Sequence, residues 1–194
     1  MKKKIVQTAF TLAEVLITLG IIGVVASLTM PALIANHRKI VVETHLKRFY
    51  SNMNQAIKLS EVDNGDKKEW AFTGDIDWYN KYLAPYLKTT SIQYKDASLI
   101  IKFIDGSSDI ISYYGHDHTY CLNSKQQKYG TNCFTFGFYP TYTIFNKHHY
   151  DKGVEPYIRN DWDGTYEDLP RVNGYTRMIQ LNNWKIPDDY PLKF

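Results

Sequence analysis

The stretch Ala9–Ala35, AFTLAEVLITLGIIGVVASLTMPALIA, decides the fold of this chain. After Glu14 it continues to Ala35 without a charged residue. At about 1.5 Å per residue, a helix of this length matches the roughly 30 Å hydrocarbon core of a bilayer. Residues 10–35 are therefore predicted to form a transmembrane helix.

Basic residues precede the apolar segment, since three lysines at positions 2–4 follow Met1. Positive charge keeps the adjoining end of a membrane helix in the cytoplasm, so the rest of the chain is predicted to lie outside.

A secretory signal carries its small-residue cleavage site after the apolar core. Here the small-residue step, Thr8-Ala9, comes before the core. Cleavage there would remove a basic leader, residues 1–9, and leave the helix on the mature protein.

Glu14 places a carboxylate at the start of the apolar run. A carboxylate that faces lipid is costly and normally has a partner. After cleavage, the new amine of Phe10 would lie one helical turn away, on the same copy or on a neighbouring one. This arrangement is typical of a subunit that assembles through its membrane helices.

The N-terminal residues resemble the signature of type IV pilins and of the pseudopilins of type II secretion. The resemblance is carried by the lysine-rich leader, Ala9-Phe10-Thr11-Leu12, Glu14-Val15-Leu16-Ile17 and Pro31. It covers about the first 35 residues. The sequence departs from the family at two positions: Ala9 stands where Gly is usual, and Ala13 stands where Ile is frequent.

The resemblance implies that the chain is a prepilin. A membrane prepilin peptidase would cleave after Ala9 and N-methylate Phe10, and Glu14 would be needed for assembly. A platform protein in the bacterial inner membrane and its ATPase would move subunits from the lipid into a helical filament, periplasmic or extracellular. Small side chains at Gly20 and Gly23 would let helices approach closely in lipid. Pro31 is expected to kink or loosen the helix.

Apolar residues continue at helical spacing beyond the membrane segment. They fall at Val42, Leu46, Phe49, Met53, Ala56 and Leu59 or Ser60, with basic residues on the other faces. Residues 36–62 are therefore predicted to continue the helix, from about Thr11 to Val62, and to lay an apolar stripe on a soluble head. The turn signal Asp63-Asn64-Gly65-Asp66 ends the helix.

Residues 63–194 are predicted to form an extracytoplasmic head. A short helix, Asp75–Leu83, begins with aspartate caps and stops near Pro85. A β-hairpin follows, with Ser98–Ile104 and Ser108–Tyr114 on either side of a turn. Further strands are predicted at Cys133–Tyr139, Tyr142–Phe145 and Tyr175–Leu181. The predicted fold class is α+β and pilin-like, with the long N-terminal helix packed on an antiparallel sheet.

Cys121 and Cys133 are the two cysteines of the chain. Disulfides persist outside the cytoplasm, where the head is predicted to lie. The sequence therefore predicts a Cys121–Cys133 bridge, and the alternative is two separately buried thiols.

Two other groups of residues have metal-binding chemistry. The histidines at 116, 118, 148 and 149 form two pairs, fewer than the three or four converging ligands of a zinc site, and are predicted to be surface loop residues. Asp161, Asp163 and Glu167 resemble the opening of a calcium loop, but the bidentate Glu at the twelfth position of that loop is missing. Some pseudopilins carry a structural Ca²⁺ in a C-terminal loop. A solvated acidic turn is nevertheless favoured over a Ca²⁺ site, and no other cofactor is expected.

Composition and motifs exclude several functions. Removal of the leader lowers the number of basic residues from 23 to 20, equal to the 20 acidic residues, so specific binding of nucleic acid is not indicated. No nucleophile elbow, P-loop, dinucleotide fingerprint or HExxH motif is present, so the chain is predicted not to be an enzyme.

The predicted function is that of a structural subunit of a type IV pilus-like or type II secretion pseudopilus filament. The alternative is a membrane-anchored, extracytoplasmic protein whose aromatic head binds a glycan or another ligand through tryptophans 70, 78, 162 and 184. An anchored extracytoplasmic enzyme is a second alternative. Glu14 and a cleavage site upstream of the helix favour the filament subunit, because a plain anchor needs neither.

Overall fold

The computed structural model of the protein describes residues 10–112, 115–123, 125, 127–141 and 147–194. Its helices are α1 (Leu12–Asn64), α2 (Ile76–Tyr82) and α3 (Tyr175–Leu181), with short 3-10 turns at Lys67–Glu69 and Ala84–Tyr86. Its strands are β1 (Thr89–Lys95), β2 (Ser98–Phe103), β3 (Ser108–Ser112), β4 (Asp117–Cys121), β5 (Cys133–Gly137) and β6 (Glu155–Pro156). The chain divides into two compact units, Met1–Arg38 and Lys39–Phe194.

The first unit is helical throughout its described part after Thr11. α1 begins at Leu12, within one residue of the predicted start, and includes Pro31. The helix ends at Asn64, two residues beyond the predicted end. The long N-terminal helix is therefore confirmed.

The second unit, here called the head, contains one antiparallel sheet. The strands lie in the order β1-β2-β3-β4-β5-β6, so each strand pairs with its neighbours along the chain. The predicted hairpin is β2–β3, with Leu99 opposite Ile111. Its turn contains Gly106 at a φ of +84°, and Asp105 accepts a hydrogen bond from the amide of Ser107. A long helix and an antiparallel sheet make the α+β class a confirmed prediction.

The core of the head lies between α1 and one face of the sheet. The buried residues of α1 are Val42, Leu46, Phe49, Met53, Ala56, Ile57 and Ser60. The predicted stripe left open whether Leu59 or Ser60 faces the core; Ser60 is buried and Leu59 is exposed. Residues two apart on a strand face the same side, so Leu99 and Ile101 of β2 meet this stripe together.

The helix α2 begins as its caps predict. Asp75 is the N-cap and accepts a hydrogen bond from the amide of Trp78 at 2.8 Å. Trp78, Tyr79 and Tyr82 are buried in the head core. The N-cap fixes the residue at which α2 begins, and the aromatic residues of this short helix then face the core.

Tyr175–Leu181 is a helix, and the predicted strand at this position is wrong. Its buried residues are Thr176, Met178 and Ile179, and the helix packs on β5 and β6. Ile179 belongs to the main core of the head and Met178 to a smaller apolar cluster, so the helix is buried on more than one side. A run of seven residues is too short for its periodicity to separate a strand from a helix. Position 142–145, a further predicted strand, lies outside the described residues, as do Tyr113 and Tyr114.

The disulfide is confirmed. Cys121 at the end of β4 lies directly opposite Cys133 at the start of β5, and their sulfur atoms are bonded. The alternative of two separately buried thiols is therefore wrong. The bridge closes a short loop at one end of the sheet, which limits the conformations of the unfolded chain and stabilises the fold.

Candidate functional site

The first described residues form a reciprocal helix cap. Oε2 of Glu14 accepts hydrogen bonds from the backbone N of Thr11 at 2.8 Å and from its Oγ1 at 2.9 Å. In return, Oγ1 of Thr11 accepts the amide hydrogen of Glu14 at 3.2 Å. This is a capping box, which satisfies otherwise unpaired amide groups at the start of a helix. It also turns the carboxylate toward the end of the chain that carries Phe10.

The helix after this cap exposes a continuous apolar surface. Phe10 and Leu12 are 87% and 78% exposed, and the large apolar residues that follow are exposed on every side of the helix. They are Val15, Leu16, Ile17, Leu19, Ile21, Ile22, Val24, Val25, Leu28, Met30, Leu33 and Ile34. Within the described part of the chain, α1 is the one helix that is long and apolar enough to span a membrane. Apolar surface of this extent marks contact with lipid or with another protein.

The few polar groups of this segment are satisfied within the helix. The hydroxyls of Thr18, Ser27 and Thr29 donate to carbonyl oxygens three or four residues earlier, at 2.8–2.9 Å. Polar groups in hydrocarbon must find such internal partners. At Gly20 and Gly23 an added Cβ would meet no atom of the chain within 4 Å, so the fold of the subunit itself does not require glycine there.

The acidic loop proposed for calcium is organised around an arginine. Arg171 donates to Asp161 at 3.0 Å and to both oxygens of Asp168, at 2.5 and 2.8 Å. Asp163 accepts from the amide and hydroxyl of Thr165, as in an Asx turn. Among the described residues, no group of three or more His, Cys, Asp or Glu side chains is placed to hold a metal ion.

Two of the histidines predicted to lie on the surface are buried. His118 and His149 are each 1% exposed. His118 lies on β4, and its Nδ1 is 2.7 Å from Oδ2 of Asp109 on β3. The amide of Ile158 donates to Nε2 of His149 at 3.0 Å. The prediction failed because β4 was not recognised as a strand, and alternation along β4 turns His118 and Tyr120 to the same buried face.

Burial of His149 makes the stability of the head depend on pH. Burial lowers the pKa of His149 to about 4, from an ordinary value of 6.5. Between these values the unfolded chain binds a proton that the folded chain does not, so the free energy of unfolding should fall by about 3 kcal/mol as the pH drops from 6.5 to 4. The check is the unfolding midpoint of the detergent-solubilised chain at several pH values. Burial also lowers the pKa of His45, His116 and His148, so the variant His149→Gln should lose only the part of the slope that His149 contributes. An unchanged slope would contradict the assignment.

The four tryptophan side chains pack in the core or bond within their own loops. Trp70 and Trp78 are buried, and Trp70 stacks on Tyr82 at a centroid distance of 4.5 Å. Trp184 packs against Tyr50 of α1, and the indole nitrogen of Trp162 donates to the backbone of its own loop. The four rings therefore do not form a common exposed binding face.

A comparison with known protein families matches residues 32–194. The chain belongs to DUF6613, described as a family of unknown function. The DUF6613 match includes the head and the second half of α1, whereas Glu14 and the other signature residues precede it. No curated protein and no solved structure matches the chain significantly. Membership of DUF6613 thus assigns no activity, and the chemistry of the N-terminal helix is the main guide to function.

Proposed function

We propose that the chain is a structural subunit of a type IV pilus-like or type II secretion pseudopilus filament, and not an enzyme. It is made as a prepilin, cleaved after Ala9 and N-methylated at Phe10. One observation carries this proposal: the carboxylate of Glu14 is folded back onto Thr11 at the start of α1, directly before the exposed apolar segment 15–34, which has no charged residue. In lipid this carboxylate needs a positive partner, and the amine that cleavage would create at Phe10 is the nearest candidate.

Assembly would exchange lipid contacts for contacts between helices. The helices of neighbouring subunits bundle in the filament core through close packing of side chains, and Gly20 and Gly23 offer room for it. The ion pair between Glu14 and an amine of Phe10 selects the register of neighbouring subunits rather than adding much stability, because desolvation offsets most of its attraction. The partners are a prepilin peptidase, an inner-membrane platform protein and an assembly ATPase.

The experiment that tests this function asks whether the chain leaves the membrane as a polymer. Cells that express the full chain are compared with cells that lack the assembly ATPase, after mechanical shearing and high-speed sedimentation of the fibres. The chain is expected in the fibre fraction of the first strain and only in the membrane of the second. A chain confined to the membrane in both strains would contradict the proposal.

A further inference from the structure

A groove of about 560 Å³ lies in the head between α1, residues 86–88 and the part of the sheet that carries Phe103 and Tyr120. Phe49 and Met53 of α1 form one wall, and Phe103 and Tyr120 of the sheet form the other. Two large apolar residues at its rim are well exposed: Leu59 by 46% and Ile104 by 69%. Apolar walls with exposed apolar rims favour occupation by a partner over open solvent.

The surroundings of the groove are basic. Arg48 and Lys88 line it, and Asp105 is the one carboxylate among its lining residues. Arg48 is paired with Asp105, whereas Lys88 is exposed and forms no ion pair within the described part of the chain. This charge balance favours an acidic occupant.

The head also carries an acidic surface, formed by residues that follow β6 along the chain. We define this acidic patch as Asp161, Asp163, Glu167, Asp168, Asp188 and Asp189. A small apolar cluster beneath the patch includes Met178 of α3. The helix α3 packs on β5 and β6. No residue of the patch is among those that line the groove, so the groove and the patch are separate surfaces of the head.

The patch has unpaired charge next to aromatic surface. Arg159 and Arg171 pair with Asp161, and Arg171 also pairs with Asp168. Within the described residues, no ion pair is formed by Asp163 or Glu167, and both are exposed. The patch therefore offers exposed carboxylates that are not neutralised by a cation of the described residues, with the half-buried rings of Trp162 and Tyr166 between them.

We propose that the groove of one subunit receives the acidic patch of a second copy of the chain. This inference rests on the proposed filament and adds the contact between its heads. Because the two surfaces differ, each copy can bind two others, and a contact of this kind builds an open helical filament when its rotation does not close into a ring. The membrane helices hold neighbouring heads at a high effective concentration, so a small contact with few charges suffices.

Site-specific cross-linking of the full chain in cells tests the contact. Gln55 lines the groove and Thr165 lies within the acidic loop, and both are exposed. A variant with Gln55→Cys and Thr165→Cys is expected to form a disulfide-linked dimer in sheared filaments. The matched control keeps Thr165→Cys and replaces Gln55→Cys by Asp77→Cys, on the exposed side of α2, and should form no dimer.

Charge reversal tests the chemistry of the same contact. In the cross-linking variant, Lys88→Glu and Glu167→Lys should each give about tenfold less dimer, and their combination should restore it. Lys95→Glu, at the far end of β1 and outside the groove, should leave the yield unchanged. Filaments that form without this cross-link, or without rescue, would overturn the docking and leave the proposed function standing. Absence of filaments from the unsubstituted chain would overturn both.

Discussion

Glu14→Ala is expected to leave a stable, processed chain in the membrane and to remove it from the filament fraction. The substitution deletes the carboxylate that would pair with the amine of Phe10, and that amine would remain buried among apolar helices without a partner. Removing one member of a buried pair is strongly destabilising, by about 3–5 kcal/mol, because it leaves the other charge uncompensated. Repeated at every subunit contact, this loss should abolish assembly. The measurement is the ratio of filament to membrane protein after shearing.

Two variants separate assembly from local helix capping. Thr11→Ala removes the hydroxyl that caps α1 but keeps the charge of Glu14, so it should cost about 1 kcal/mol of local helix stability and assemble nearly normally. Glu69→Ala removes an exposed glutamate of the head and should have no effect. Normal filaments from Glu14→Ala, or equal defects from Glu14→Ala and Thr11→Ala, would contradict the role given to the Glu14 carboxylate.

His118→Leu is expected to destabilise the head strongly. The side chains of His118 and Asp109 are 0% and 1% exposed, and their nearest atoms are 2.7 Å apart. Without His118 the Asp109 carboxylate is buried without its partner, which typically costs about 3–5 kcal/mol. The check is guanidinium unfolding of the detergent-solubilised chain, followed by the fluorescence of the buried Trp70 and Trp78.

A double variant provides the matched comparison. Replacement of both partners, Asp109→Leu with His118→Leu, leaves no charge without a partner and should destabilise the head less than His118→Leu alone. If the double variant instead loses the sum of the two single effects, the two side chains act independently and the pairing is not what stabilises this part of the sheet.

The elements that could be predicted from the sequence are those with a strong local signal. The apolar run and the helical spacing of Val42, Leu46 and Phe49 gave α1 to within two residues at each end. The turn around Gly106 identified the β2–β3 hairpin. These signals depend on neighbouring residues alone, so no knowledge of the tertiary contacts was needed.

The missed elements are those whose character is set by tertiary contacts. β1 is an edge strand of mostly polar residues, so it lacks a hydrophobic alternation. β4 carries Asp, His and Thr, and the burial of His118 depends on Asp109 from the adjacent strand. The groove is likewise formed by residues from four separate segments, and no local pattern shows that they converge.

Of the candidate site, Glu14 and Phe10 were identified from the sequence, and the structure adds the cap that links Glu14 to Thr11. Ala9 lies outside the described residues. The role of Arg171 was missed because it lies ten positions from Asp161, and only the fold of the loop brings them together. Sequence spacing identified an acidic loop, but only the three-dimensional structure shows that the guanidinium of Arg171 pairs with its carboxylates.

The central claim, that the chain is a prepilin, is tested most directly by its N-terminus. The measurement is the intact mass and N-terminal sequence of the membrane-extracted protein, from cells with and without a prepilin peptidase. The account predicts a chain that begins at Phe10 with an added methyl group, and only when the peptidase is present. A chain that still begins at Met1, or one cut after Ala35, would contradict it.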